Sequence, residues 1–187
     1  MSKTVDQLDM KILKALSEDS RKSNTAIAKE VGASRPTIIA RIDKLIENKI
    51  VDVGAKVNVT KLGFKLVNVH FQMDQKESEQ ELVERISACP RVLQLFESVG
   101  KRNFTAIIFV ENADSIISVI ECFRNALHAR VSSWHRVRPL IGETFNMKIN
   151  VEKCAKTPCG KVCGLCLSYQ QLECIGCPTS KDYKGPI

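Results

Sequence analysis

The chain has few aromatic residues and no long apolar segment. Phenylalanine, tyrosine and tryptophan make up 5% of its 187 residues. The longest strongly apolar run, around residues 104–110, is far shorter than the roughly 18 residues that a membrane helix needs. The first residues, MSKTVD, carry no apolar signal segment. We therefore expect a cytoplasmic protein that does not contact a membrane.

Histidine is also scarce, which argues against a histidine-based catalytic or metal site. His70 and His135 fall in predicted strands, and His128 falls near the end of a predicted helix. None of the three accompanies a thiol or carboxylate motif. We interpret them as structural residues.

Basic residues are in excess, and most of the excess lies in the first third of the chain. The formal net charge is +7, of which residues 1–61 account for +4, residues 62–150 for +1 and residues 151–187 for +2. A basic segment of this kind suits contact with the phosphates of nucleic acid. A solvated basic surface would have the same composition, so charge alone does not decide between them.

Three helices and a short hairpin are predicted in this basic segment. Leucine, isoleucine and valine recur at helical spacing in residues 5–18, 25–31 and 34–48. Ser34 can cap the third helix, and Pro36 lies in its first turn, where a missing N–H is tolerated. The alternation of valine and alanine over residues 50–59 predicts a hairpin-like wing.

The third predicted helix has two faces of different character. Its apolar face consists of Ile38, Ile39, Ile42, Leu45 and Ile46. The opposite face is polar and basic, as a helix that reads the major groove requires. The predicted DNA contacts are Ser34, Arg35, Thr37, Arg41 and Lys44. A plain three-helix bundle would share these faces, but the glycine turn, the capped third helix and the wing together favour a winged helix-turn-helix.

Residues 62–150 predict an α+β domain with the element order βαββαβ. The predicted strands are residues 65–74, 92–99, 104–111 and 132–141, and the predicted helices are residues 77–89 and 113–129. This order gives an antiparallel sheet with both helices on one face. Because the other face would need a partner to cover it, we expect a homodimer.

Several segments resemble the Lrp/AsnC family. These are LDMKIL at 8–13, NTAIAKEVGAS at 24–34, RIDKLIENKIV at 41–51 and KLG at 61–63. The resemblance covers residues 5–150. It implies a winged helix-turn-helix DNA-binding domain at 1–61 and a ferredoxin-like regulatory domain of the RAM or ACT type at 62–150. It also implies dimers that assemble into larger homo-oligomers and bind double-stranded DNA.

Many members of this family sense amino acids near the loop between the second and third strands. The resemblance makes Gly100 and Asn103 candidate contacts for a small-molecule effector. The loop reads GKRN here, where the family usually has G-x-x-D. The residues before the last strand are Arg130 and Val131, where the family often has Gly-Val. Both departures bear on whether this chain senses an amino acid.

Six of the eight cysteines lie in the last 34 residues, in the pattern C-x4-C-x3-C-x2-C-x7-C-x2-C. They are Cys154, Cys159, Cys163, Cys166, Cys174 and Cys177. In a reducing compartment, clustered cysteines more often bind metal than form disulfides. The two C-x2-C pairs are the usual way to supply four tetrahedral ligands to zinc. We therefore predict that residues 151–187 form a small metal-binding tail, with zinc as the first candidate.

The spacing that begins at Cys159 is also compatible with metals other than zinc. This spacing, C-x3-C-x2-C, also suits three corners of an iron–sulfur cluster, with Cys174 or Cys177 as the fourth ligand. Copper is a further candidate. The tail could be a metal or redox sensor or a purely structural zinc knuckle. Cys89 and Cys122 fall on predicted helix faces, and we interpret them as core residues.

Together these patterns predict a sequence-specific transcriptional regulator that responds to metal or redox state through its tail. An enzyme is the alternative, because a branch resembling this family carries out a decarboxylation in haem biosynthesis on the same two-domain scaffold. Those enzymes use clusters of histidine with tyrosine or arginine. The regulatory domain here has no tyrosine and its histidines are dispersed, which favours the regulator.

Overall fold

The computed structural model describes residues 5–73, 78–100 and 102–187. It divides into two compact units, Met1–Ala55 and Lys56–Ile187. The cysteine-rich tail belongs to the second unit and does not form a unit of its own. The division between the units also falls six residues before the predicted boundary at residue 61.

The first unit contains three helices, α1 (Gln7–Glu18), α2 (Asn24–Val31) and α3 (Arg35–Glu47). The side chains of Asp6, Ser23 and Ser34 each accept a backbone N–H from the first turn of the helix that follows. Gly32 ends α2 in the left-handed conformation, with φ of 74°, and so lets the chain turn into α3. The core of the unit consists of Ile12, Ala15, Leu16, Ile27, Ala28, Ile38 and Leu45.

The wing predicted over residues 50–59 is wrong. Across these ten residues, all of them described, no hairpin is present, and residues 51–56 have no regular structure. Val57 instead forms a bridge with Phe145, far along the chain. Val59 is fully buried in an apolar cluster that also contains Phe145. The apolar alternation at 57–59 therefore reflects packing within the second unit.

The second unit is built on a four-stranded antiparallel sheet in the order β2-β3-β1-β4. Its elements are β1 (Lys65–Met73), α4 (Glu79–Ser87), β2 (Val92–Glu97), β3 (Asn103–Val110), α5 (Ser115–Leu127) and β4 (Ala129–Val137). The predicted βαββαβ order is confirmed. The last strand begins earlier than predicted, because α5 ends at Leu127, His128 turns the chain in the left-handed conformation, and β4 follows at once. Asp74 and Glu77, at the ends of two predicted elements, lie outside the described residues.

One face of the sheet packs against α4 and α5. Alternate residues of β1, from Val67 to Met73, face this core, as the two-residue period of a strand requires. Phe71 stacks on Phe104 and meets Phe123 of α5 edge-on, with ring centroids 5.6 and 5.4 Å apart. Leu82 and Ile86 bring α4 into the same core. These contacts fix both helices against the sheet.

An apolar cluster covers one end of the opposite face of the sheet. There, Val59, Phe64, Leu66, Phe109 and Phe145 form a second cluster. Further along, the face is polar: His70 Nδ1 lies 2.9 Å from the Thr105 hydroxyl, which lies 2.8 Å from the Ser98 hydroxyl. The rings of His70 and His135 lie 6.5 Å apart on neighbouring strands. The two histidines that are dispersed in the sequence are thus neighbours in the fold.

The tail forms a loop closed by its own hydrogen bonds. Cys154 and Ser180 form a parallel bridge, and between them lie a short 3-10 turn (Cys163–Leu165) and α6 (Leu167–Gln170). The Tyr169 hydroxyl donates to the carbonyl of Asp182 at 2.7 Å. None of the helices in the described part of the chain has both the length and the apolarity to cross a bilayer.

Candidate nucleic-acid interface and cysteine cavity

The outer face of α3 is exposed within the first unit. Ile38 and Leu45 point into the core, which turns the polar side of the helix outward. The residues exposed on that side are Ser34, Thr37, Ala40 and Lys44, and Arg35 is exposed at the first position of the helix. Ser34 Oγ accepts the Thr37 N–H at 3.3 Å and lies 2.7 Å from Thr37 Oγ1. These hydroxyls therefore sit at the N-terminus of α3, where they cap the helix and face solvent.

Arg41, the fifth predicted DNA contact, has a different environment. It is half-buried, and its Nη1 donates to Asp6 and to Asp9, the latter at 3.2 Å. The N–H of Asp9 is the main cause that lowers the pKa of Asp6, and the hydrogen bond from Arg41 is the second. Both acids begin α1, so Arg41 ties α3 to the start of α1. Contact of Arg41 with DNA stays a prediction, whereas its contacts with Asp6 and Asp9 are present in the structure.

Replacing Arg41 with alanine should loosen the start of α1. We expect backbone amides in the first two turns of α1 to exchange hydrogen faster in full-length Arg41→Ala than in the wild type, as measured by mass spectrometry. Because the pKa of Asp6 is lowered in the folded state, its stabilisation is present above the ordinary carboxyl pKa. That stabilisation is lost as the pH falls through the lowered value. The difference in the hydrogen exchange of α1 between the wild type and Arg41→Ala should therefore disappear in strong acid.

Arg21→Ala is the matched control for this exchange measurement. Arg21 also pairs with an aspartate, Asp19, but its side chain is 91% exposed. The Arg21→Ala substitution should leave hydrogen exchange in α1 unchanged. Equal exchange in Arg41→Ala and the wild type at neutral pH would contradict the structural function of Arg41.

The proposed effector loop is held by contacts within itself. Gly100 has φ of 103°, and a Cβ built on it would lie 2.6 Å from Asn103 Nδ2. That same nitrogen donates to the carbonyl of Val99 at 3.4 Å. Lys101 lies outside the described residues. Gly100 and Asn103 are therefore neighbours, and their contact with an effector stays a prediction.

Seven of the eight cysteines line one cavity of about 180 Å³ in the second unit. They are Cys89, Cys122, Cys159, Cys163, Cys166, Cys174 and Cys177. Five of them come from the tail and are predicted metal ligands. The other two come from the regulatory domain, Cys89 just after α4 and Cys122 within α5. The cavity therefore lies where the tail packs on the helices of the regulatory domain.

Cys154, the sixth predicted tail ligand, does not line this cavity. Its backbone pairs with Thr179 and Lys181, and its thiol donates to the carbonyl of Thr179 at 3.0 Å. The fold thus separates Cys154 from the other five tail cysteines. It serves as the point where the tail closes on itself.

The interpretation of Cys89 and Cys122 as simple core residues is incomplete. Cys89 contacts the apolar core, and burial raises the pKa of its thiol to about 11. Cys122 forms a hydrogen bond with the thiol of Cys159, which lowers the pKa of Cys159. A helical wheel could have pointed to Cys122, because it lies off the buried face of α5, beside Glu121 and Asn125.

A buried arginine anchors the tail beside the cavity. Arg91 pairs with Glu111 through Nη1 at 2.7 Å, and these side chains are 7% and 5% exposed. Its Nη2 donates to the carbonyl of Gly176, in the tail, at 2.6 Å. The Tyr183 hydroxyl donates to the other oxygen of Glu111 at 2.8 Å. This ion pair therefore joins β3, the start of β2 and the tail.

The cysteines of the cavity do not form a site for a single metal ion. Within residues 5–73, 78–100 and 102–187, no group of three or more His, Cys, Asp or Glu side chains is arranged to hold a single metal ion. Burial raises the pKa of both Cys174 and Cys177. Binding of zinc, iron or copper by these residues stays a prediction.

A unit of three helices whose third helix exposes a polar side, followed by a βαββαβ unit, is the architecture of a helix-turn-helix regulator. The AsnC-type helix-turn-helix domain matches residues 5–46. LrpA of Pyrococcus abyssi, an HTH-type transcriptional regulator, is 31% identical over 117 residues, which are 62% of this chain and 83% of that protein. The leucine-responsive regulatory protein of Rhizobium meliloti is 30% identical over 115 residues, 59% of this chain and 74% of that one.

Solved structures show the same fold. The crystal structure of Mycobacterium tuberculosis LrpA superposes with a TM-score of 0.66 at 15% identity, over 76% of this chain and 99% of that one. LrpC of B. subtilis gives a TM-score of 0.57 at 22% identity, over 74% and 98%. The chain belongs to the Lrp/AsnC family of transcriptional regulators. It is a regulator and not an enzyme, so the decarboxylase alternative falls away.

Proposed function

We propose that the chain binds double-stranded DNA sequence-specifically, with α3 lying in the major groove. The exposed outer face of α3 supports this. Small Ala40 allows the helix to approach base edges closely, while the hydroxyls of Ser34 and Thr37 can contact bases or backbone. The cations Arg35 and Lys44, at opposite ends of the helix, suit phosphates on either side of the groove.

Two copies would pair through the partly open face of the sheet. Phe96 of β2 is 50% exposed there, next to the polar group of His70, Thr105 and Ser98. A homodimer would cover these residues and present two copies of α3 to half-sites about one helical turn apart. Further association of dimers would give the higher homo-oligomer that the family resemblance implies.

The tail would make this regulator responsive to metal or redox state. Its anchor is the Arg91–Glu111 pair, and five of its thiols face α4 and α5 across the cavity. A metal bound there would pull the tail and both helices together. Because the same helices pack on the dimerising sheet, metal binding would alter the spacing of the two α3 helices and hence DNA affinity.

A structural metal knuckle is the second candidate for the tail. The bridge between Cys154 and Ser180, together with the bond from Tyr169 to Asp182, favours it, because these contacts already close the tail. In that case the metal would stabilise the tail without affecting DNA binding. The affinity for DNA with and without metal separates the two candidates.

Substitutions on α3 test the DNA interface through salt dependence. Arg35→Ala and Lys44→Ala should each weaken binding and flatten the plot of log affinity against log salt. The slope should change by about one for each phosphate contact removed, or about two for a dimer. Fluorescence anisotropy with a DNA fragment selected from a random library by the wild type provides the measurement.

Lys14→Ala is the control for these two substitutions. Lys14 is an exposed lysine of α1 that pairs with Glu18, so its removal lowers the net charge by the same amount at a different place. Its salt slope should match the wild type. If Lys14→Ala and Lys44→Ala changed the slope equally, charge alone and not the face of α3 would govern binding.

A further inference from the structure

The arrangement of the seven thiols does not suit a single zinc ion. Zinc at a Zn–S distance of about 2.3 Å brings its sulfurs to within about 3.8 Å of one another around one point. Seven cysteines here instead line a space of about 180 Å³, larger than a single ion needs. Their number also exceeds the four ligands of a tetrahedral site. A centre made of several atoms fits this geometry better.

We propose that the cavity binds a [4Fe–4S] cluster held by thiolates from both the tail and the regulatory domain, with Cys122 of α5 as a regulatory-domain ligand. In such a cluster each thiolate binds a different iron, so the sulfurs stand apart around a common volume. The inference rests on the proposed metal-responsive tail and deepens it by naming the cofactor and a ligand outside the tail.

The position of Cys122 supports its assignment as the ligand from the regulatory domain. It lies on the side of α5 that faces the tail, away from the buried face formed by Val119, Phe123 and their neighbours. There it lines the cavity together with five cysteines of the tail. A ligand set that combines Cys122 with cysteines of the tail would bridge the tail and the regulatory domain directly.

The surroundings of the cavity suit a cluster with net negative charge. Arg85 and Lys161 line it, together with Arg91, whose charge Glu111 balances, against a single lining carboxylate, Glu121. Apolar side chains that include Ile108, Phe123 and Leu127 form its inner wall, which shields a cluster from solvent. The tail also contains C-x2-C pairs and a Cys177-Pro178 step, features found in bacterial cluster-binding runs.

Assembly would proceed by ligand exchange. Each of four thiols loses its proton, and the resulting thiolate replaces a ligand on one iron of a preformed iron–sulfide cluster. No residue of the chain is oxidised or reduced in this step. The iron and sulfide come from outside the chain, already assembled in a delivered cluster.

The test is chemical analysis of the full-length protein purified without oxygen, together with two Cys→Ser variants. The wild type should contain iron and acid-labile sulfide in equal amounts, about four of each per chain, and should be coloured. Cys154→Ser, which changes the cysteine outside the cavity, should match the wild type. Cys122→Ser should lose most of its iron and sulfide while its far-ultraviolet circular dichroism is preserved.

Alkylation of the wild type gives a second measurement that does not depend on how a variant folds. With the cluster in place, iodoacetamide should modify Cys154 but not Cys122, and removing the cluster with a chelator and an oxidant should expose Cys122. One zinc or copper per chain without sulfide, a metal-free protein, or Cys122 reactive in the iron-loaded protein would each overturn the proposal.

DNA affinity separates this inference from the proposed function. If the cluster is present and its removal leaves DNA affinity unchanged, the inference stands and metal-responsive regulation fails. If the protein holds zinc alone and chelation alters DNA affinity, regulation by metal stands and the iron–sulfur cluster fails.

Discussion

Arg91→Ala should lower the free energy of unfolding of the second unit by about 3–5 kcal/mol, because it leaves a carboxylate buried without its partner. Arg91 and Glu111 are each under a tenth exposed, so water cannot replace the lost guanidinium. The substitution also removes the donor to Gly176. We therefore expect the tail to detach from β2 and β3 as well, leaving only Tyr183 as a hydrogen-bonded link to Glu111.

Urea unfolding of the full chain, followed by fluorescence of Trp134 in β4, gives the free energy. Hydrogen exchange of residues 174–185 reports whether the tail detaches. Arg124→Ala is the matched control, because Arg124 pairs with Glu121 at 2.6 Å but both side chains are about half exposed. That surface pair should contribute less than about 1 kcal/mol. Equal losses in the two variants would show that Arg91 is not an anchor.

The helices of the first unit were predictable because their signals are local. A capping side chain, a proline in the first turn and a glycine after the last turn all act within a few residues of the helix they begin or end. The capping by Ser34 and the turn at Gly32 follow directly from these rules. The βαββαβ order was predictable for a similar reason, since each element has its own apolar period.

The wing was not predictable, because apolar alternation does not say what the strand pairs with. Val57 and Val59 have the period of a strand, but their partner is Phe145, more than 80 residues away. A contact of that separation depends on the whole unit being folded. Local pattern alone favoured a hairpin with the nearest similar residues.

The candidate sites show the same difference between features set by local sequence and features set by distant contacts. The polar face of α3 follows from a helical wheel, but the wheel cannot show that Arg41 meets Asp6 and Asp9 across the helix interface. The cysteine spacing of the tail indicates a thiol-rich site, but it cannot bring in Cys122 from α5. Both corrections come from packing between elements that are distant in the sequence.

Ala40→Glu should abolish sequence-specific DNA binding without unfolding the first unit. Ala40 is exposed in the middle of the outer face of α3. A carboxylate there would meet base-edge acceptors and nearby phosphates in the groove, and it would also pair with Lys44 one turn later. Specific binding typically exceeds non-specific binding by at least about a thousandfold, so we expect a loss of that size. Alanine and glutamate differ by only a few tenths of a kcal/mol in helix propensity.

Met10→Glu is the control that separates local from overall charge. Met10 is 58% exposed on α1, and a glutamate there adds the same charge beside Lys14, in the favourable i,i+4 arrangement. Anisotropy titrations against the selected DNA fragment and a scrambled one should show a modest loss on both for Met10→Glu. Ala40→Glu should bind the selected and the scrambled fragments with equal affinity. A retained preference would mean that the middle of α3 does not lie against the bases, and another surface of the first unit would have to read the sequence.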